Sequence, residues 1–182
     1  LYALTEGEME PDAVLTAMAD DHHAAAEAYE GWAAAEPDDG AAELFERAAA
    51  AERDAYGTVA GELAAHEPGA APPQYDVLAG TEGTVERLGA FVGRTLVAKQ
   101  HRSQATGFFT GQADPGTAGT FREFGEDYED LRGALVDAVE AAAADEDADD
   151  ALAESGDDVE YAVDPDEADT DTPTSAMEDE PG

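Results

Sequence analysis

The chain has no cysteine, and only eight basic residues, one of them lysine, against 45 acidic ones in 182. Without cysteine there is no disulfide, thiolate zinc site, iron–sulfur cluster or cysteine nucleophile. A net charge of −37 cannot neutralise a phosphate backbone, which argues against direct nucleic-acid binding. It also leaves no polybasic foot for an anionic membrane. No apolar run approaches the roughly 18 residues of a spanning helix, and no secretory signal pattern opens the chain. Because Leu1 is not Met, further residues are expected upstream. Alternating runs of β-branched residues are missing, so the fold class is all-α. Glycine-rich phosphate loops, nucleophile elbows and Ser-His-Asp spacings are missing too, and with them the commonest enzyme signatures.

What is present is acid, unevenly spread. Residues 145–182 hold 17 acidic side chains and no base. That segment has few large apolar residues and cannot offset its ordering entropy, so it reads as a disordered acidic tail behind a folded unit, 1–144. Within it, DDVEYAV (157–163) reads either as more solvated tail or as a short strand or docking motif. Residues 1–144 carry 28 acids and all eight bases. Abundant Asp, Glu, Ala and Gly, with Arg favoured over Lys, is the composition of a cytoplasmic protein at molar salt. There the Debye length is about 3 Å and carboxylate repulsion is screened, whereas dilute buffer would drive the fold apart. Most of this charge reads as solubility.

Apolar spacing gives four helices. Pro11 and Asp12 suit a first turn, and a helix to about Glu36 shows the stripe Leu15, Met18, His22, Ala25, Tyr29, Trp32. After the break at Pro37-Asp38-Asp39-Gly40, a second helix runs to about His66 with Phe45, Ala48, Glu52, Tyr56, Val59 and Leu63. Pro68, Pro72 and Pro73 then forbid a continuous helix. A third helix carries Val77, Val85, Leu88, Val92 and Leu96 and reaches about Gln112. Asp114-Pro115-Gly116 precedes a fourth, with Phe121, Phe124, Tyr128, Leu131, Leu135 and Val139. Short breaks near Pro37 and Pro115 imply two antiparallel hairpins, and the longer proline-rich segment can cross the length of the bundle. At an offset of 76, Gly31-Trp32 maps on Gly107-Phe108 and Phe45 on Phe121. Internal duplication and the mutual likeness of alanine-rich helices both account for this.

The stretch AAEAYEGWAAAEPDDGAAELFERAAAAERDAYGTVAGEL, residues 25–63, resembles the first hairpin of the rubrerythrin branch of the ferritin-like superfamily. Tyr29, Trp32, Ala33, a short break, then Phe45 with Glu52 seven residues on carry the likeness. The opening LYALTEGEME is similar to haloarchaeal homologues of this kind. Some of those bear a transcription-antitermination label, which would imply a factor acting through protein partners. The resemblance implies a ferritin-like four-helix bundle with two irons between the helices, each hairpin giving one Glu and one Glu-x-x-His. By position, the six ligands fall on His22, Glu52, Ala55, Ala98, Tyr128 and Leu131. Glu52 matches, His22 is a substitute able to ligate, and no Glu-x-x-His occurs in the chain.

His22 and Glu52 each lie about 15 residues from the turn near Pro37, or roughly 22 Å along their helices. They therefore face one another at equal height, and both interrupt apolar stripes. Such a pair reads as a satisfied buried contact left from an ancestral centre, as a mononuclear iron or zinc site, or as a catalytic remnant. His23 points to the flank. Asp20-x-x-His23 and Glu62-x-x-x-His66 have helical ligand spacing but only two donors each. The basic cluster KQHR (99–102) suits an anion or carboxylate-rich partner, or internal pairing with the acidic excess. The expected function is a non-catalytic interaction or structural protein of a halophile cytoplasm, as a homodimer or with another protein partner, and without cofactor. The alternative is a redox or oxidative-stress protein holding one iron or zinc ion.

Overall fold

Proline, aspartate and glycine decide where the helices begin. The computed structural model describes residues 1–145, apart from the side chains of residues 126, 127, 129, 130 and 143–145. The expected disordered tail and the segment 157–163 lie outside the described residues. Five helices follow in order: α1 (Pro11–Ala35), α2 (Asp39–Gly61), α3 (Gln74–Ala79), α4 (Thr84–Gly111) and α5 (Pro115–Asp145). The described residues are all helix and connection, without a strand, and no helix among them is long and apolar enough to cross a membrane. Pro11 takes the first turn of α1, where its missing N–H costs nothing. Asp38 caps α2 by accepting the Ala41 N–H at 2.8 Å. Asp114 does the same before α5, taking the Thr117 N–H at 3.1 Å and the Thr117 hydroxyl at 2.6 Å.

Three expectations need correction. The second helix stops at Gly61, not near His66. Gly57 and Gly61 weaken its last turns, and tight i−3 bonds from Glu62 and Leu63 close it. Beyond, Asp20 on α1 captures the Gly69 N–H at 2.9 Å and lies 3.2 Å from His66, drawing the chain across. The third helix is two helices, broken at Gly80-Thr81-Glu82-Gly83. Gly83 sits at φ +90°, a conformation that only glycine adopts cheaply. The Leu78 carbonyl, at the end of α3, accepts from Thr81 at 2.7 Å and from the Trp32 indole at 3.1 Å. Val77, Val92 and Leu96, expected on the core stripe, are all exposed. The buried face of α4 is instead Arg87, Leu88, Phe91, Arg94, Ala98, Arg102, Ala105 and Phe109.

The helices α1 and α2 pair in one hairpin and α4 and α5 in another, with α2 resting on α5, α1 on α4, and α3 on α1. Apolar burial falls into two clusters. One gathers Tyr29, Trp32, Phe45, Phe91 and Leu131, near the α1–α2 turn. The other gathers Val14, Met18, Val59, Phe109 and Phe121, near the α4–α5 turn. The hairpins therefore pack head to tail, and residues 62–83 return along their length. Arg87 fastens that return by bonding Glu36 at 2.9 Å beside the first turn. Residues 76 apart sit at opposite ends: Phe45 lies in the first cluster and Phe121 in the second. Glu52 and Tyr128, also 76 apart, touch at the middle, as two positions on a two-fold axis would.

Candidate functional site

Between the two apolar clusters the core is polar. Three successive turns of α4 present Arg94, Ala98 and Arg102 inward, because spacings of four and eight residues fall on one helical face. Facing them from the first hairpin are Asp21 and His22 of α1 and Glu52 of α2, all 1% exposed or less.

The larger knot centres on Glu52. One carboxylate oxygen lies 2.5 Å from His22 Nδ1. A carboxylate can only accept, so Nδ1 carries the proton. The other oxygen accepts from Arg102 at 3.3 Å and from the Tyr128 hydroxyl. The Arg102 guanidinium lies 3.8 Å from the centre of the Tyr128 ring, a cation–π contact. Burial opposes the charge on Glu52, but His22, Arg102 and Arg94 outweigh it and hold the carboxyl down to about 2. Burial and the neighbouring carboxylate of Glu52 push the Tyr128 phenol well up, so it remains a donor.

The second knot centres on Asp21, which bonds Arg94 at 2.9 Å and accepts the Tyr75 hydroxyl at 2.9 Å. Arg94 Nε donates to the same Tyr75 oxygen at 2.9 Å, and His101 Nδ1 lies 3.6 Å from Asp21. Burial works against the Asp21 charge, while Arg94, His101 and His22 drive its carboxyl well below the usual range. Two buried carboxylates thus meet two buried guanidinium groups, and the interior closes its own charge.

The sequence placed His22 opposite Glu52, and the two meet. Ala55, Ala98 and Leu131 are buried and bring no donor to the centre. Tyr128 comes to Glu52 from α5. The KQHR cluster divides: Arg102 turns to Glu52 and His101 towards Asp21, while Lys99 faces outward. His23 stays on the flank, 3.6 Å from Glu27, and His66 meets Asp20 rather than Glu62. Nothing in the apolar spacing singles out Asp21, Arg94 or Tyr75, whereas the bond from Arg102 to Glu52 is the internal pairing open to the KQHR cluster. The available signal was the spacing of Arg87, Arg94 and Arg102 by seven and eight residues, in phase with Leu88, Phe91 and Phe109. A 500 Å³ cleft between α2 and α5, bordered by Arg47, Asp54, Phe124 and Leu131, leads from solvent to Arg102 and Tyr128.

These residues do not fit a two-metal centre. Among the described residues no three His, Asp or Glu side chains converge as ligands, and the guanidinium of Arg102 holds the Glu52 oxygen a metal would need. At an effective dielectric of 20, a divalent ion about 4 Å from that guanidinium would meet roughly 8 kcal/mol of repulsion. His22 Nε2 is buried and has no hydrogen-bond partner among the described residues. Compared with family models, with curated proteins and with solved structures, the chain finds no match.

Proposed function

We propose that this chain is a ferritin-like four-helix bundle of the rubrerythrin branch whose di-iron centre has given way to an ionic core. In this reading it serves a salt-rich cytoplasm as a non-catalytic interaction or structural protein. One observation carries the reading: Arg102 bonds Glu52 and stacks on Tyr128 among the six positions where the resemblance expects iron ligands. Two irons need several carboxylates to balance them. Here the local acids, Asp21 and Glu52, are matched by Arg94 and Arg102 without a metal. The head-to-tail hairpins and the long return between them support the bundle assignment.

The free Nε2 of His22 favours a second reading, a metal-binding protein, but it supplies one ligand. With Nδ1 committed to Glu52, such a site holds at most one weakly bound iron or zinc ion. Metal analysis of protein purified from its host in molar salt, with oxygen and peroxide consumption measured after adding iron, tests both. The expected result is substoichiometric metal and no iron-dependent turnover. Two ions bound per chain, about 3.5–4 Å apart as in two-metal sites, would overturn the proposal and restore an enzyme.

A further inference from the structure

The outer faces of α4 and α5 enclose a groove of about 740 Å³ that shares its inner wall, at Arg102 and Tyr128, with the ionic core. Its floor includes Val92, Leu96, Val136 and Val139. Leu96 is 65% exposed and Val136 49%, and together with Val92 they make up half of the large apolar side chains exposed among the described residues. Four of the eight bases of the chain, Lys99, Arg102, Arg122 and Arg132, line the same groove, against Glu140 as the acid among its described lining. Arg102 reaches inward to Glu52. Lys99 and Arg122 engage no partner among the described residues. In a chain with 45 acids and eight bases, cations without a partner among the described residues, set beside exposed apolar side chains, call for an acidic, apolar occupant.

The chain carries such a segment. Residues 157–163, DDVEYAV, alternate acid and apolar side chains: Asp158 and Glu160 against Val159, Tyr161 and Val163. In extended form that alternation puts Asp158, Glu160 and Ala162 on one face and Val159, Tyr161 and Val163 on the other, with Asp157 at its leading end. Eleven residues separate it from Asp145, the end of α5. Extended, they reach about 36 Å, whereas the groove, from Val139 back to Phe121, spans roughly 27 Å of helix. We propose that residues 157–163 dock in the α4–α5 groove as an extended strap. Val159, Tyr161 and Val163 cover Leu96, Val92 and Val136, while Asp158 and Glu160 reach Lys99 and Arg122 at the rim. Tethering supplies a local concentration in the millimolar range, so a modest interface suffices.

The absence of cysteine makes the test clean, since any disulfide joins introduced residues only. In the full chain, in molar KCl, the pair Leu96→Cys/Val159→Cys is oxidised beside the control pair Leu96→Cys/Ala176→Cys. Tether length alone favours the first pair by roughly threefold, and docking should raise the advantage to at least about tenfold. Adding Lys99→Glu and Arg122→Glu, or Val136→Asp, should return the rate to the tether value. All these positions in the groove are exposed, and an unchanged helical dichroism spectrum certifies each variant. A threefold ratio or less overturns the proposal, as does an excess untouched by the charge reversals. Disulfide-linked dimers as the main product in dilute protein assign the groove to the tail of a second copy, and the intrachain strap falls.

Discussion

Replacing Glu52 with Gln keeps the shape of the side chain and removes its charge. The carboxylate now accepts from His22, Arg102 and Tyr128 at once, on two oxygens. Gln offers one acceptor oxygen, and its NH2 group either opposes the N–H at His22 Nδ1 or forces that proton to Nε2, where it finds no partner among the described residues. Two routes give the magnitude. The fall of the Glu52 carboxyl from 4.5 to about 2 corresponds to roughly 3 kcal/mol in favour of its charged form. Removing one member of a buried ion pair costs about 3–5 kcal/mol, because the remaining charge stays buried. Equilibrium urea unfolding in molar KCl, followed by far-ultraviolet circular dichroism, should therefore show a loss of about 3 kcal/mol at unchanged m-value. Arg102→Met should cost a similar amount, since it strands Glu52. The double variant Glu52→Gln/Arg102→Met should be markedly less destabilised than the sum, with a coupling of about 2 kcal/mol or more. A single-variant loss below about 1 kcal/mol, or strict additivity, would refute the claim that these charges are buried and mutually dependent.

Acid should act through the same carboxylates. Asp21 and Glu52 are both depressed in the folded chain, so the unfolded chain binds more protons as pH falls. Their contribution is complete above the unfolded carboxylate range near pH 4.5 and is lost progressively towards pH 2 and below. In molar KCl, where surface repulsion is screened, the urea midpoint should fall on acidification from about pH 5 to about pH 3, and less steeply in Glu52→Gln; a flat or rising midpoint would count against it. Low salt should be harmful at neutral pH: with 28 acids against eight bases in residues 1–144, helical dichroism should climb steeply between dilute buffer and molar KCl. A cooperative, fully helical melt in dilute buffer would show that the charge does not govern stability.

Much of the first hairpin was legible because its core stripe is apolar and uninterrupted except at His22 and Glu52. Equal distances from one turn were enough to bring those two together. On α4 the same reasoning misled. Val92 and Leu96 are apolar and exposed, while the arginines in phase with Phe91 and Phe109 are buried. Hydropathy assigns arginine to the surface because it scores the side chain alone, and burial of Arg94 and Arg102 is decided by Asp21 and Glu52, 73 and 50 residues away. The break between α3 and α4 was marked by Gly80 and Gly83. The hydrogen bond from Trp32 to Leu78, which fixes α3 in place, depends on a partner remote in sequence.

The division of charge between the hairpins has a consequence for alignment. Alanine recurs on the facing surfaces, with Ala24, Ala25, Ala48, Ala49, Ala98 and Ala105 all buried. Small, uniform knobs give little resistance to sliding, and a bundle built of them alone would tolerate several registers. Here the acids Asp21 and Glu52 belong to one hairpin and the bases Arg94 and Arg102 to the other. A slip of one helical turn, about 5.4 Å, would leave all four charges buried and unmatched. The ionic core therefore acts as a two-toothed key: it adds little net stability over an apolar filling, yet it makes every neighbouring register costly.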